Sequence, residues 1–209
     1  MINFLLIAFA ITLLYISSAE RFRTYAKLIA VQGVLLFGIA VAELAELNIG
    51  NLIFVAIETL VFKAFLVPYF LFKVINKTKV YRVHNKALPA FYGLTFAILA
   101  LVLSVFLANI LNNEFGSIAF MTVCIFTLFA GIILIITHKL LFSHTIGFLV
   151  IENGVFLLSI LVGTEMPLLI NIGILLDVFV SVLIITIFAN KIGSKFHDMG
   201  TENLTTLKN

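Results

Sequence analysis

Residues Leu52–Phe72 read LIFVAIETLVFKAFLVPYFLF, an apolar run of 21 residues broken by two ionisable side chains, Glu58 and Lys63. About 20 apolar residues in a helix span the hydrocarbon core of a bilayer, so this stretch has the length of one crossing. Lys63 falls at its twelfth position, at mid-bilayer depth, where a lysine costs roughly 2.5–3.5 kcal/mol to insert. From there it reaches neither headgroup region easily. A chain keeps a charge in such a place only when something pairs with it or uses it.

Six further apolar stretches lie around this one: Ile2–Ala19, Leu28–Glu46, Pro89–Leu111, Ser117–Thr137, Thr145–Gly163 and Leu168–Ala189. The whole chain is 63% hydrophobic, only 11% charged, and has a mean hydropathy of +1.23. Soluble domains carry about 25% charged residues, which excludes that class. The expected fold is all-α: a polytopic integral membrane protein of about seven transmembrane helices, forming one domain over residues 1–190, with a short cytoplasmic tail over 191–209. No Lys or Arg precedes the first stretch, while Arg21, Arg23 and Lys27 follow it. That order is the reverse of a secretory signal, so the stretch reads as a retained helix.

The loops carry the topology. Arg21, Arg23 and Lys27 lie between spans one and two, and Lys73, Lys77, Lys79, Arg82 and Lys86 between three and four. Lys139 lies between five and six, and Lys191, Lys195 and Lys208 follow span seven. With seven spans these all share one face. The opposite loops, Leu47–Asn51, Asn112–Gly116 and Thr164–Pro167, hold only Glu114 and Glu165. The positive-inside rule then places the N-terminus outside and the C-terminus in the cytoplasm, and explains the net charge of +3 without nucleic acid. A weak internal echo accompanies this topology. Spans one to three and five to seven run in the same directions. Each triplet has a polar residue in its second helix (Gln32, Glu152) and an acid in its third (Glu58, Asp177), at separations of 120 and 119 residues. This allows two three-helix units repeated in parallel, as recurs in transport folds.

Lys63, Glu152 and Asp177 are the ionisable groups nearest mid-membrane, with Glu58 close by. Burial favours a neutral carboxyl and a nearby cation favours the carboxylate, so acids and a lysine at one depth can gain and pass on protons. In an α-helix, Glu58 and Lys63, five residues apart, point about 140° away from each other. Lys63 is therefore expected to meet an acid of another helix or subunit. Pro68 cannot donate to the Ala64 carbonyl, and a kink is expected there. The competing reading makes these charges buried ion pairs that only fix helix packing. Glu43 and Glu46 read as interfacial anchors near the outer end of span two.

Cofactor chemistry finds no purchase in this chain. Cys124 is the only cysteine and lies in an apolar run, so a disulfide, thiolate metal site or iron–sulfur cluster cannot be built from it. His84, His138, His144 and His197 lie in loops, in the tail or at helix ends, and no haem, metal or other cofactor is expected. The 22 phenylalanines read as lipid-facing and packing residues. The segment Lys73–Lys86 alternates basic and apolar residues and could touch lipid headgroups or a peripheral subunit. With no phosphate loop and no catalytic triad, an autonomous active site is not expected.

Several runs resemble component E of hydrogenase-4: Thr145-Ile-Gly-Phe-Leu-Val-Ile-Glu-Asn-Gly154, Ile172-Gly-Ile-Leu-Leu-Asp177, Ala189-Asn-Lys-Ile192, Lys63-Ala-Phe-Leu-Val-Pro68 and the tail Asn203-Leu-Thr-Thr-Leu-Lys208. The likeness covers nearly the whole chain. It departs at Asn209, where the family pattern leads one to expect Gly, and Glu58 and Glu43 have no place in it. That family's helices in turn resemble the K subunit of respiratory complex I. The resemblance implies that Glu152 matches the first intramembrane carboxylate of that subunit, and Asp177 the second with a shorter side chain. It implies a subunit of a membrane-bound hydrogenase or formate hydrogenlyase-like complex. Antiporter-like membrane subunits would be its neighbours, and the nickel–iron and iron–sulfur chemistry would lie in soluble partners. The expected role is a proton relay through Lys63, Glu152, Asp177 and Glu58. A cation or proton carrier without hydrogenase, and a purely structural assembly subunit, are the alternatives.

Overall fold

The computed structural model describes residues 1–43, 53, 55–78, 90–115, 117–138 and 140–162. Among them the order is α1 (Ile2–Ser18), α2 (Phe22–Glu43), a π-helical segment (Ile57–Leu66), α3 (Val67–Thr78), α4 (Ala90–Phe115), α5 (Ile118–Thr137) and α6 (Leu141–Val162). No strand occurs among the described residues. Four described stretches are long and apolar enough to cross a membrane: Phe22–Glu43, Phe91–Leu111, Ile118–Thr137 and Phe142–Leu161. The seventh expected span, Leu168–Ala189, and the tail lie outside the described residues.

The helices are apolar on both faces, which is the mark of a helix with no water-facing side. In α1, Leu6, Phe9, Leu13 and Ile16 are buried, while Phe4, Ile7, Ile11 and Tyr15 lie exposed on the opposite face. α4 exposes Phe91, Ile98, Val102, Phe106 and Ile110 along its length. A soluble bundle would put charges there; here the exposed face suits hydrocarbon.

Helix ends depart from the hydropathy limits where charges are involved. α2 begins at Phe22 rather than Leu28, so Arg23 and Lys27 belong to the helix. They stand one turn apart on its exposed side while Phe22, Tyr25, Ala26 and Ile29 are buried, so the charges ride outside an inward apolar face. The Arg23 guanidinium donates to Asn76 Oδ1 of α3 at 3.1 Å. α6 likewise begins at Leu141, and its first turn takes in His144. At Ser117 the sequence boundary holds: its side chain caps α5 by accepting from the Phe120 N–H at 3.4 Å.

α1 and α2 occupy the middle. α1 packs against α2, α4 and α5, and α2 against α1, the π segment, α3 and α6. The tightest pair is α5 with α6, which meet across glycines. A Cβ at Gly131 would lie 2.6 Å from the Gly147 carbonyl oxygen and 3.0 Å from the Ile151 nitrogen; one at Gly154 would lie 3.2 Å from the Leu128 nitrogen. Small residues let membrane helices approach until backbone touches backbone, where dispersion contacts replace the missing hydrophobic drive. Substituting Gly131→Ala must push that backbone apart. It is expected to destabilise the protein by ~1–3 kcal/mol, seen as a lower Tm in detergent micelles. Gly38→Ala, whose Cβ meets only the Leu5 side chain at 3.3 Å, should leave Tm nearly unchanged.

Candidate functional site

The site begins with a change of helix type. Over Ile57–Leu66 the backbone bonds i→i+5 rather than i→i+4. The Thr59 hydroxyl donates to the Val55 carbonyl at 2.7 Å, occupying the acceptor that the Thr59 N–H would use in an α-helix. The last bond of the series runs from the Val67 N–H to the Phe62 carbonyl. The next would have to come from residue 68, a proline with no N–H, and the chain returns to α geometry there. Pro68 therefore acts by ending the π register. The carbonyl it leaves without a donor in that register is that of Lys63, where an uninterrupted α-helix would have made it that of Ala64.

This register corrects the expected separation of Glu58 and Lys63. A π-helix bonds i→i+5 and takes more residues per turn than an α-helix, so residues five apart point in much closer directions, and Glu58, Thr59, Lys63 and Ala64 are all buried. Gly33 of α2 makes room for the widened backbone. A Cβ at that position would lie 2.6 Å from the Ala64 nitrogen and 2.8 Å from the Lys63 carbonyl carbon.

Lys63 meets Glu152 of α6, with Nζ 3.2 Å from Oε1 and both side chains less than a tenth exposed. The contact has ion-pair distance without hydrogen-bond alignment. The ammonium also stands over the Phe156 ring, 4.6 Å from its centroid, one turn along α6 from Glu152. Glu58 completes the group. Its side chain is 1% exposed, and among the described residues neither carboxyl oxygen has a hydrogen-bond partner, while both Lys63 and Glu152 lie within its electrostatic reach.

Among the described residues the site thus holds two carboxyl groups and one ammonium. With all three ionised it would carry a net negative charge in a medium of low dielectric, which costs several kcal/mol. Charge balance calls for one more cation, and a proton on either carboxyl supplies it.

One residue from Glu152, a directed hydrogen-bond chain ties three helices together. Asn153 Nδ2 donates to Gln32 Oε1 at 3.1 Å, Gln32 Nε2 to Thr12 Oγ1 at 3.0 Å, and Thr12 Oγ1 to the Phe9 carbonyl at 2.6 Å. This chain fixes the rotation of α6 against α2 and so aims Glu152 at Lys63.

Of the residues expected from sequence, the structure brings Lys63, Glu152 and Glu58 together, and Asp177 lies outside the described residues. Glu43 is exposed at the end of α2, and Glu46 is also outside the described residues. Among the described residues no cluster of His, Cys, Asp and Glu is arranged to hold a metal ion. Sequence reasoning missed Gly33, Thr12, Asn153 and Phe156. The adjacent Gln-Gly and Asn-Gly pairs, 32–33 and 153–154, were the available signal. Comparison of the chain with protein-family models, with curated proteins and with solved structures finds no match.

Removing one member of a buried pair strands the other, at a cost of about 3–5 kcal/mol, whereas removing both is far milder. Lys63→Met and Glu152→Gln are therefore each expected to lower Tm more than the Lys63→Met/Glu152→Gln double variant does. Thermal unfolding of the four proteins in micelles measures this, and strictly additive effects would show that the pair is not coupled.

Proposed function

We propose that this chain is a non-catalytic membrane subunit of a hydrogenase-4 or formate hydrogenlyase-like complex related to complex I, in which its buried charges pass protons. The observation that carries the reading is Glu58, buried with both carboxyl oxygens unpartnered among the described residues, beside the Lys63–Glu152 pair. Among the described residues two carboxyls share one ammonium, and one proton between them balances that charge. Moving that proton from one carboxyl to the other lets Lys63 exchange partners at nearly constant net charge. A buried relay station requires that property, since any step that created an unbalanced charge would raise a barrier of several kcal/mol. A set of ion pairs that only fixed packing would instead be charge-matched and fully hydrogen-bonded.

In this reading the chain crosses the plasma membrane seven times, N-terminus outside and C-terminus in the cytoplasm. Asp177, in the seventh span, is the next acid of the path. The two three-helix units form a parallel repeat. The repeat draws support from Gln32-Gly33 and Asn153-Gly154. These pairs stand 121 residues apart, place a glycine against a neighbouring helix in both units, and bond to each other. Antiporter-like subunits flank the chain in the membrane. Redox chemistry belongs to soluble hydrogenase and iron–sulfur partners.

Glu58→Gln, Lys63→Met, Glu152→Gln and Asp177→Asn, each in the assembled complex, test the relay. Proton translocation is expected to fall at least tenfold in Glu152→Gln and Lys63→Met while assembly persists. Undiminished translocation in normally assembled variants would refute the relay. Affinity purification separates the partner readings: co-purifying iron–sulfur subunits support a hydrogenase complex, and antiporter-type subunits alone support a carrier.

A further inference from the structure

At the end of the bundle that carries Arg21 and Arg23, a second polar layer joins the α1–α2 junction to the α5–α6 turn. His138, the residue that ends α5, lies at its centre and is 5% exposed. Its Nδ1 is 3.0 Å from the Leu134 carbonyl oxygen and 2.9 Å from Thr137 Oγ1, and its Nε2 is 3.3 Å from the Tyr25 hydroxyl. Tyr25 also donates to the Ala19 carbonyl at 2.9 Å, and Thr137 to the Ile133 carbonyl at 2.7 Å. The backbone oxygen of His138 accepts from His144 Nε2 at 2.7 Å.

A proton count over the described contacts bears on the state of the ring. A carbonyl oxygen never donates, so each contact to one needs a proton from the side chain opposite. Ile133 takes the only hydroxyl proton of Thr137, and Ala19 takes that of Tyr25. Leu134 then takes a proton from Nδ1. The remaining contact, between Nε2 and the Tyr25 oxygen, can be filled only by a proton on Nε2. Both ring nitrogens carry hydrogen in the imidazolium alone. A neutral ring leaves the array one proton short: Tyr25 must desert Ala19 to serve Nε2, or two lone pairs must face each other. The opposite tautomer is worse, since it turns a lone pair of Nδ1 toward the Leu134 carbonyl.

We propose that His138 is a proton-binding site, held as an imidazolium at pH 7, whose bound proton closes the array joining the α1–α2 junction to the α5–α6 turn. Its surroundings fit that charge. His138 sits at the C-terminus of α5, where the helix dipole favours a cation. Glu20 lies within electrostatic range of the Tyr25 hydroxyl that receives the Nε2 proton. His144, on α6, fills its own acceptor with one ring proton and needs no second. Arg21, Arg23 and Lys27 are exposed, and Tyr15 of α1 and Tyr92 of α4 lie on outward faces. Lys139 is outside the described residues. The site binds its proton whether or not Glu152 passes one on, so the inference stands apart from the relay.

Nitrogen-15 NMR of the full chain, labelled at histidine and held in nanodiscs at pH 7, reads the ring directly. The His138 signals are identified by their loss in His138→Gln. Both ring nitrogens are expected to be protonated in the wild type and in Thr137→Val, which removes one donor together with its own acceptor contact. Only one is expected to be protonated in Tyr25→Phe. A neutral His138 in the wild type overturns the proposal, as does a ring that keeps both protons in Tyr25→Phe. Should Tyr25→Phe fail to fold, raising the pH on the wild type reads the same coupling. With the tyrosine rings labelled with carbon-13 as well, loss of the Nε2 proton must then shift the Tyr25 ring signals, identified by their loss in Tyr25→Leu, in step, and Tyr25 signals indifferent to it overturn the proposal.

Discussion

The contact between Lys63 and Glu152 sets the terms for the rest of the bundle. A buried ammonium is costly unless it is paired, so the fold must deliver an acid to it from another helix and keep it there. Glu152 can arrive only if α6 has one rotation and one height relative to the π segment. The chain Asn153–Gln32–Thr12 supplies the rotation, and Gly33 supplies the closeness of α2 to the backbone at Lys63 and Ala64. Phe156 adds a ring face to the ammonium, which favours a cation there without adding a second fixed charge.

The π segment is the local device that makes one lysine answer to two acids. In α geometry, Glu58 and Lys63 would diverge, and Glu58 would lie far around the helix from the pair. With i→i+5 bonding they point in much closer directions, and both remain buried. The Thr59 hydroxyl bonds the Val55 carbonyl near the start of this register, and Pro68, lacking an N–H, cannot extend it. Two residues with ordinary structural roles in a membrane helix thereby bracket the stretch that holds both charges.

The all-helical fold could be read from hydropathy. Apolar runs of bilayer length mark four of the described helices, and Ser117 announces the start of α5. What could not be read follows from what hydropathy measures. It averages over a window, so it trimmed α2 at Arg23 and Lys27, although a helix carries such residues on its outer side without interruption. For the site, Lys63 and Glu152 declared themselves because charge in an apolar run has few explanations. The tie of Glu58 to them was obscured, because residue spacing translates into direction only once the helix type is known. Gly33, Asn153 and Thr12 were invisible for a different reason: small and amide residues are common in membrane helices, and only the partner across the interface gives them meaning.

These contacts divide the bundle into two stiff parts. α5 and α6 are locked by backbone-to-backbone approach at Gly131, Gly147 and Gly154, and α2 is locked to the π segment by the same kind of approach at Gly33. A shift of one part against the other therefore reaches the Lys63–Glu152 contact most directly where α2 meets α6. Across that seam the described polar ties are few: the Asn153–Gln32 amide bond beside the charges, and, seven residues or about two turns away along the same face of α2, the Tyr25–His138 contact at the start of the turn into α6. Gln32 and Tyr25 thus sit on one stripe of one helix and face the α5–α6 pair at two heights. A change in the proton held at the Tyr25–His138 contact alters one of the two restraints on the seam that the buried charges straddle. The two polar layers are thus ties in parallel across one seam, and among the described residues no hydrogen bond runs directly from one to the other.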